Sequence, residues 1–130
     1  MIHAIETYVR LSGDNVHFVS SLGHRRYLSA LRYVAAVVGN SSSGLVEVPS
    51  AGIPTLDIGC RQEGRTAGPS VVHCGETAEE IVSGLKTVLS REMEKVAARR
   101  ENPYYQPDTV IKMCRAIENC SFTPYPKKIQ

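Results

Sequence analysis

Apolar positions along the chain fall into short blocks separated by turn residues, and their periods alternate. Ile2, Ile5, Tyr8 and Val9 recur close to the helical repeat, which predicts a helix over Ile2 to Leu11, broken by Gly13-Asp14-Asn15. Val16-His17-Phe18-Val19 reads as a short buried strand. His24 to Ala36 reads as a helix with Tyr27, Leu28, Leu31, Val34 and Ala35 on one face. Val37-Val38-Gly39 forms a second strand, followed by the polar run Asn40 to Gly44 and a short helix from Leu45 to Ala51 that Gly52 stops. Pro54 to Gly59 is a third strand, Cys60 to Pro69 a polar loop and Ser70 to His73 a fourth strand. A long helix is expected over Thr77 to Arg100, opened by Thr77 with Glu80 three residues on, the spacing of a capping box. Asn102-Pro103 ends it. A last helix spans Asp108 to Asn119, and Ser121 to Gln130 forms a polar tail, leaving residues 1–120 as one domain.

Strands alternating with helices predict an α/β fold with a parallel sheet covered on both faces. In such sheets ligands bind beyond the carboxyl ends of the strands. That rule brings Leu22-Gly23, Asn40 to Gly44 and Gly59 to Arg65 to one mouth. These stretches are also the richest in glycine, hydroxyl and arginine.

Composition narrows the partners. The 130 residues suffice for one domain, with 42% hydrophobic and 22% charged residues. A formal net charge of +2 gives no reason to expect a nucleic acid or an anionic membrane as partner. No apolar run approaches the ~20 residues of a bilayer span, and Met1 to Arg10 lacks a signal-peptide layout. A cytoplasmic location is therefore expected. Cys60, Cys74, Cys114 and Cys120 form no C-x-x-C pair and are read as reduced thiols. The four histidines show no zinc spacing, so neither a metal nor a cofactor is expected.

At the mouth, a strand followed by Asn-Ser-Ser-Ser-Gly and a helix is an arrangement that can hold an anion. A helix start offers unpaired N–H groups and the positive end of the dipole. Ser41 and Ser42 add hydroxyls, and Gly44 allows close approach to the backbone; a plain serine N-cap explains the same spacing. Glu47, about one turn on, can accept from neighbouring ribose hydroxyls or simply stabilise the helix dipole. Arg61 and Arg65 can grip a diphosphate with two bonds each or remain solvated loop residues. His24 heads a helix as a polar residue. No nucleophile with its base is evident, so these residues indicate a nucleotide or anion site and no catalytic set.

The same residues carry a resemblance. Gly39-Asn40-Ser41-Ser42-Ser43-Gly44-Leu45-Val46-Glu47-Val48-Pro49-Ser50, Gly52-Ile53-Pro54-Thr55 and Gly59-Cys60-Arg61-Gln62-Glu63-Gly64-Arg65 resemble the UDP-N-acetylglucosamine 2-epimerases. The branch that hydrolyses its substrate carries Asn-Ser-Ser-Ser-Gly and Gly-Asp-Arg-Gln-x-Gly-Arg; the Thr-Glu-Arg-Pro-Glu motif of the other branch is absent. Phe18 to Gly23, Tyr27-Leu28-Ser29 and Asn102-Pro103-Tyr104 fit the same branch, and the resemblance runs from about Met1 to Asn119.

The resemblance implies the carboxy-terminal half of a two-domain GT-B-type fold, with a partial Rossmann-like sheet. It implies UDP contacts at Ser41, Ser42, Glu47 and Arg61, with the backbone near Leu22 close to uracil. Ser43, Gly44 and Arg65 are further candidates. The family eliminates UDP from the sugar and hydrates the resulting glycal, giving N-acetylmannosamine. The acid and base groups come mainly from an amino-terminal domain and the cleft beside it, segments this chain does not contain. UDP or a UDP-sugar is therefore the expected ligand, and turnover by this chain alone is not expected.

Three departures stand out. Cys60 occupies the place of the motif's aspartate, Tyr105-Gln106-Pro107 replaces its Gly-Asp-Gly, and by the family layout Met1 falls within the domain's second helix. The two preceding strands would then be missing, so Val16–Val19 is expected to pair in parallel with Val37–Gly39 in a sheet of about four strands. The apolar surface left uncovered is expected to drive assembly into a homo-oligomer. Other readings are a UDP-diacetamido-sugar epimerase, the nucleotide half of a glycosyltransferase, and a non-catalytic interaction module.

Overall fold

The computed structural model describes residues 2–121, so the polar tail expected over Ser121 to Gln130 falls almost wholly outside the described residues. Three strands, β1 (Val37–Gly39), β2 (Thr55–Ile58) and β3 (Val71–Cys74), form one parallel sheet in the order β1-β2-β3. Gly39, Asp57 and His73 stand in one register across it. The α/β class and the parallel sheet agree with the sequence reading, and so does each of these three strands within a residue or two.

Both faces of β2 are covered because consecutive strand residues point to opposite sides. Leu56 faces α5 (Ala78–Val88), where a Cβ on Gly84 would lie 2.5 Å from Leu56 Cδ1, so the missing side chain lets helix and sheet meet. Thr55 faces α3 (Ser43–Val46) on the other side and donates from Oγ1 to the Gly44 carbonyl at 2.9 Å. Leu45, Val48, Leu56 and Val88 are almost wholly buried between these layers.

Several boundaries differ from expectation. Val16–Val19 is irregular chain rather than strand, and Phe18 and Val19 are 43% and 57% exposed. An isolated apolar run becomes a strand only beside a partner, and β1 is left with an unpaired edge among the described residues; the sheet therefore has three strands, not four. The helix expected from His24 to Ala36 is α2 (Gly23–Ala30) followed by a 3-10 turn, Leu31–Tyr33.

The Leu45–Ala51 helix divides at Glu47 into α3 and α4 (Val48–Ala51). Pro49 has no N–H to give the carbonyl four residues back, but it suits the first turn of a new helix. Gly52 closes α4 in the left-handed conformation at φ 78°, as its position suggested. The long helix over Thr77–Arg100 is two, α5 and α6 (Arg91–Ala98), because Ser90 caps a fresh start by accepting from the Met93 amide at 3.2 Å. The capping box of Thr77 and Glu80 is present.

Two helices stand apart from this core. In α1 (Ile2–Ser12), Ile5, Tyr8 and Leu11 are exposed, and in α7 (Thr109–Glu118) so are Val110, Ile111, Met113 and Ile117. Among the described residues, no helix is long and apolar enough to cross a membrane.

Candidate functional site

The carboxyl ends of the three strands open on one side, and the loops that follow them build two adjoining parts of a mouth. After β1 the chain turns through Asn40-Ser41-Ser42 into α3. Ser41 ties this turn internally: its carbonyl accepts from the Gly44 amide at 3.0 Å and its hydroxyl from the Ser43 amide at 3.4 Å. Ser42 stands at the N-cap, but its side chain caps nothing. The serines are thus not a simple N-cap, and two of the first-turn amides are already engaged.

Ser43 has the most connected hydroxyl of the three. It donates to Glu47 Oε2 at 2.5 Å and shares a 2.7 Å bond with the Tyr27 hydroxyl from α2. His24, the second residue of α2, brings Nδ1 to 3.9 Å from Glu47 Oε1. A half-buried carboxylate is therefore held at one oxygen by Ser43, itself bonded to Tyr27, with the other oxygen turned toward His24. Glu47 also marks the break between α3 and α4, rather than lying a turn inside one helix. Neither His24 nor Tyr27 was marked for this contact by the sequence; in an eight-residue helix they lie one turn apart on the same face.

The expected residues do not all meet. Leu22 precedes α2 with its side chain 39% exposed. Arg61 and Arg65 are exposed in the loop after β2, and no ion pair holds either among the described residues. Glu47 lines a cleft of about 350 Å³ shared with Leu28, Asn102 and Tyr104, whereas Arg65 lines a separate cleft of about 590 Å³ between the β2 loop and the end of β3. Gly44 is buried, and its missing side chain makes room for Thr55, since a Cβ there would lie 2.6 Å from Thr55 Cγ2. Its demonstrable task is packing α3 onto the sheet.

Further polar groups of the mouth were not singled out as site residues by the sequence. Gln62, buried at 3% exposure, donates from Nε2 to the Asn40 carbonyl at 2.7 Å and so seats the β2 loop on the β1 turn. Asp57 is buried on the central strand and lies 2.9 Å from His73 Nδ1 on β3. An acid inside an otherwise apolar strand was a visible signal, but its partner could be named only once the register was known. Beside them the Cys74 thiol is pushed up from its ordinary value, first by burial and then by the Glu80 and Asp57 carboxylates.

The segment after α6 braces this arrangement. Asn102 Nδ2 donates to the Val46 carbonyl at 2.9 Å and to Ser50 Oγ at 2.6 Å, while Tyr104 donates from its hydroxyl to the Thr66 carbonyl at 2.9 Å. Among the described residues no cluster of His, Cys, Asp and Glu could hold a metal ion.

A family-wide comparison decides the kinship, because the sequence pattern of UDP-N-acetylglucosamine 2-epimerase matches residues 1–118. The chain belongs to the UDP-N-acetylglucosamine 2-epimerase family. Within it, the chain is 34% identical over 102 residues to the polysialic acid biosynthesis protein P7 of Escherichia coli, covering 78% of this chain and 26% of that protein. It is 28% identical over 86 residues to a UDP-N-acetylglucosamine 2-epimerase of Neisseria meningitidis, covering 66% and 23%. It is also 32% identical over 68 residues to a GDP/UDP-N,N'-diacetylbacillosamine 2-epimerase (hydrolyzing) of Campylobacter jejuni, covering 52% and 18%. The chain thus spans about a quarter or less of the length of these epimerase-family relatives.

Proposed function

We propose that this chain is the UDP-binding part of a hydrolysing UDP-N-acetylglucosamine 2-epimerase and that by itself it binds nucleotide without turnover. The observation that carries the reading is Glu47, a carboxylate held by the Ser43 hydroxyl, which the Tyr27 hydroxyl in turn supports, beside the turn after β1. A carboxylate held at Oε2, with Oε1 turned toward His24 at 3.9 Å, suits the paired hydroxyls of a ribose. Ser41, Ser42 and Arg61 then take the diphosphate, with the backbone near Leu22 at the base. Arg65 is a further candidate for the diphosphate. Catalysis needs groups on both sides of the reacting carbon, and the residues named here supply one side.

Titration of the chain with UDP tests this. A Kd in the high micromolar to millimolar range, roughly −4 to −5.5 kcal/mol, is expected for half a cleft, with UDP preferred over UMP and ADP. Glu47→Ala should weaken UDP by about 1.5–3 kcal/mol, the scale of charge-assisted bonds, and lower stability by less. Equal binding of UDP, ADP and phosphate, or release of N-acetylmannosamine from UDP-N-acetylglucosamine by the pure chain, contradicts it. A UDP-diacetamido sugar is the second reading, favoured by the similarity to a diacetylbacillosamine epimerase. The exposed apolar residues of α1 and the open edge of β1 support assembly into a homo-oligomer, to be checked by sedimentation.

A further inference from the structure

The cleft of about 590 Å³ beside β3 lies next to the nucleotide mouth and shares Gln62 with it, yet none of the residues assigned to UDP above except Arg65 lines it. Its chemistry is distinct. His73 lines the cleft and is 49% exposed at its side chain, while Asp57 behind it is 1% exposed. One oxygen of Asp57 takes the His73 Nδ1 contact at 2.9 Å; the other, Oδ1, is buried without a donor among the described residues. Burying a carboxylate with a single partner is costly. What the contact secures is the imidazole: with Nδ1 engaged by the acid, the ring is fixed and Nε2 is left for another partner. Gln62 adds a second buried acceptor at this mouth, Oε1, which also lacks a donor among the described residues.

The charges on the lining decide what kind of ligand fits. Glu63 and Glu76 line the cleft against one guanidinium, Arg65, and Asp57 stands behind His73. Carboxylates in excess repel a diphosphate, which finds its cation instead at Arg61. They accept hydroxyl hydrogens readily, as do the free acceptor of a neutral imidazole and an amide oxygen. Resting on the nucleotide-sugar reading, we propose that this cleft is a separate subsite for the neutral, hydroxyl-rich ring of the sugar, with His73 as its hydrogen-bonding partner and Asp57 as the residue that positions His73.

Long-range proton–nitrogen spectra of the 130-residue chain, titrated with UDP, UDP-N-acetylglucosamine, free N-acetylglucosamine and inorganic phosphate, test the assignment. Without ligand, His73 should show its proton on Nδ1, and Asp57→Ala should shift the population toward the Nε2 tautomer while the amide spectrum stays dispersed. UDP-N-acetylglucosamine and the free sugar should move the His73 Nε2 signal; UDP and phosphate should not. His73→Ala should reduce the affinity advantage of UDP-N-acetylglucosamine over UDP by a few-fold to about tenfold, the loss of one hydrogen bond. A His73 signal that ignores the sugar, or that follows phosphate, overturns the proposal. Its failure is separable from that of the nucleotide reading: UDP shifting the Ser41–Glu47 amides with no sugar effect at His73 sinks this subsite alone. A sugar effect at His73 with no response of those amides to UDP sinks the nucleotide reading alone.

Discussion

Replacing Gly44 with alanine should destabilise the fold at the point where the turn after β1 is attached to the sheet. The added Cβ would lie 2.6 Å from Thr55 Cγ2, well inside contact distance. Thr55 cannot rotate away freely, because it is 2% exposed and its Oγ1 donates to the Gly44 carbonyl. Overpacking a tight contact costs about 1–3 kcal/mol, and giving up the hydrogen bond costs about 1 more. Alanine's better helix propensity offsets roughly 0.5–1 kcal/mol. A net loss of about 2 kcal/mol is therefore expected, read as a lower urea midpoint at unchanged slope. Thr55→Ser removes Cγ2 and keeps the hydroxyl, leaving 3.6 Å to the next atom. Alone it should cost about 1 kcal/mol for the lost methyl; combined with Gly44→Ala it should restore part of the loss, the coupling expected of touching residues. Gly44→Ala within 0.5 kcal/mol of the parent, or no rescue by Thr55→Ser, would refute the packing account.

Other outcomes follow from the polar contacts. Glu80 sits below the usual carboxylate range because the Thr77 hydroxyl and amide bond to it. A depressed folded-state value means that its contribution is present above the ordinary carboxylate range and fades as pH falls through the folded value. Glu80→Gln should flatten the acid limb of a pH–stability curve, and an unchanged limb contradicts the assignment. The Cys74 value is raised, so its contribution is complete below the ordinary thiol range and is lost as pH rises through the folded value. Cys74 should consequently alkylate slowly at neutral pH, and faster in Glu80→Gln; mass spectrometry of iodoacetamide-treated protein reads both. Asn102→Ala removes two donor contacts and should cost about 1–3 kcal/mol, with faster amide exchange at α4; unchanged exchange there would mean that the brace is redundant.

The legible parts of the fold were those with local causes. Val37–Gly39, Thr55–Ile58 and Val71–Cys74 are apolar runs bounded by turn residues, and each is a strand. Thr77 with Glu80, and Gly52 at a left-handed position, announce helix ends in three or four letters. Val16–Val19 looks equally strand-like but lacks a neighbour, and strand formation is a property of pairs. The second helix start at Ser90 carried a readable signal, a serine followed by Glu92 and Glu94, which the continuing apolar period concealed.

At the mouth, the place of the Asn40–Gly44 turn between β1 and α3 was legible, because a strand, a serine run and a helix are contiguous, whereas the helix break at Glu47 was not. The Tyr27–Ser43 bond, the approach of His24 to Glu47 and the Asp57–His73 contact join residues 16 to 23 positions apart. Only the tertiary arrangement brings them together. Cys60 is exposed in the loop, and its thiol makes no hydrogen bond among the described residues.

The brace after α6 has a kinetic consequence. Asn102 reaches back 56 positions to Val46 and 52 to Ser50, and Tyr104 reaches back 38 to Thr66. The sheet closes over shorter separations, since β1, β2 and β3 follow one another within residues 37–74. Loops close at a cost that grows with the span to be bridged, and contacts of long separation slow folding. On the ribosome the strands can therefore pair while the loops around them are still free. The end of α3, α4 and the loop after β2 gain these braces only when Asn102 and Tyr104 have left the exit tunnel, so this side of the mouth is secured after the sheet.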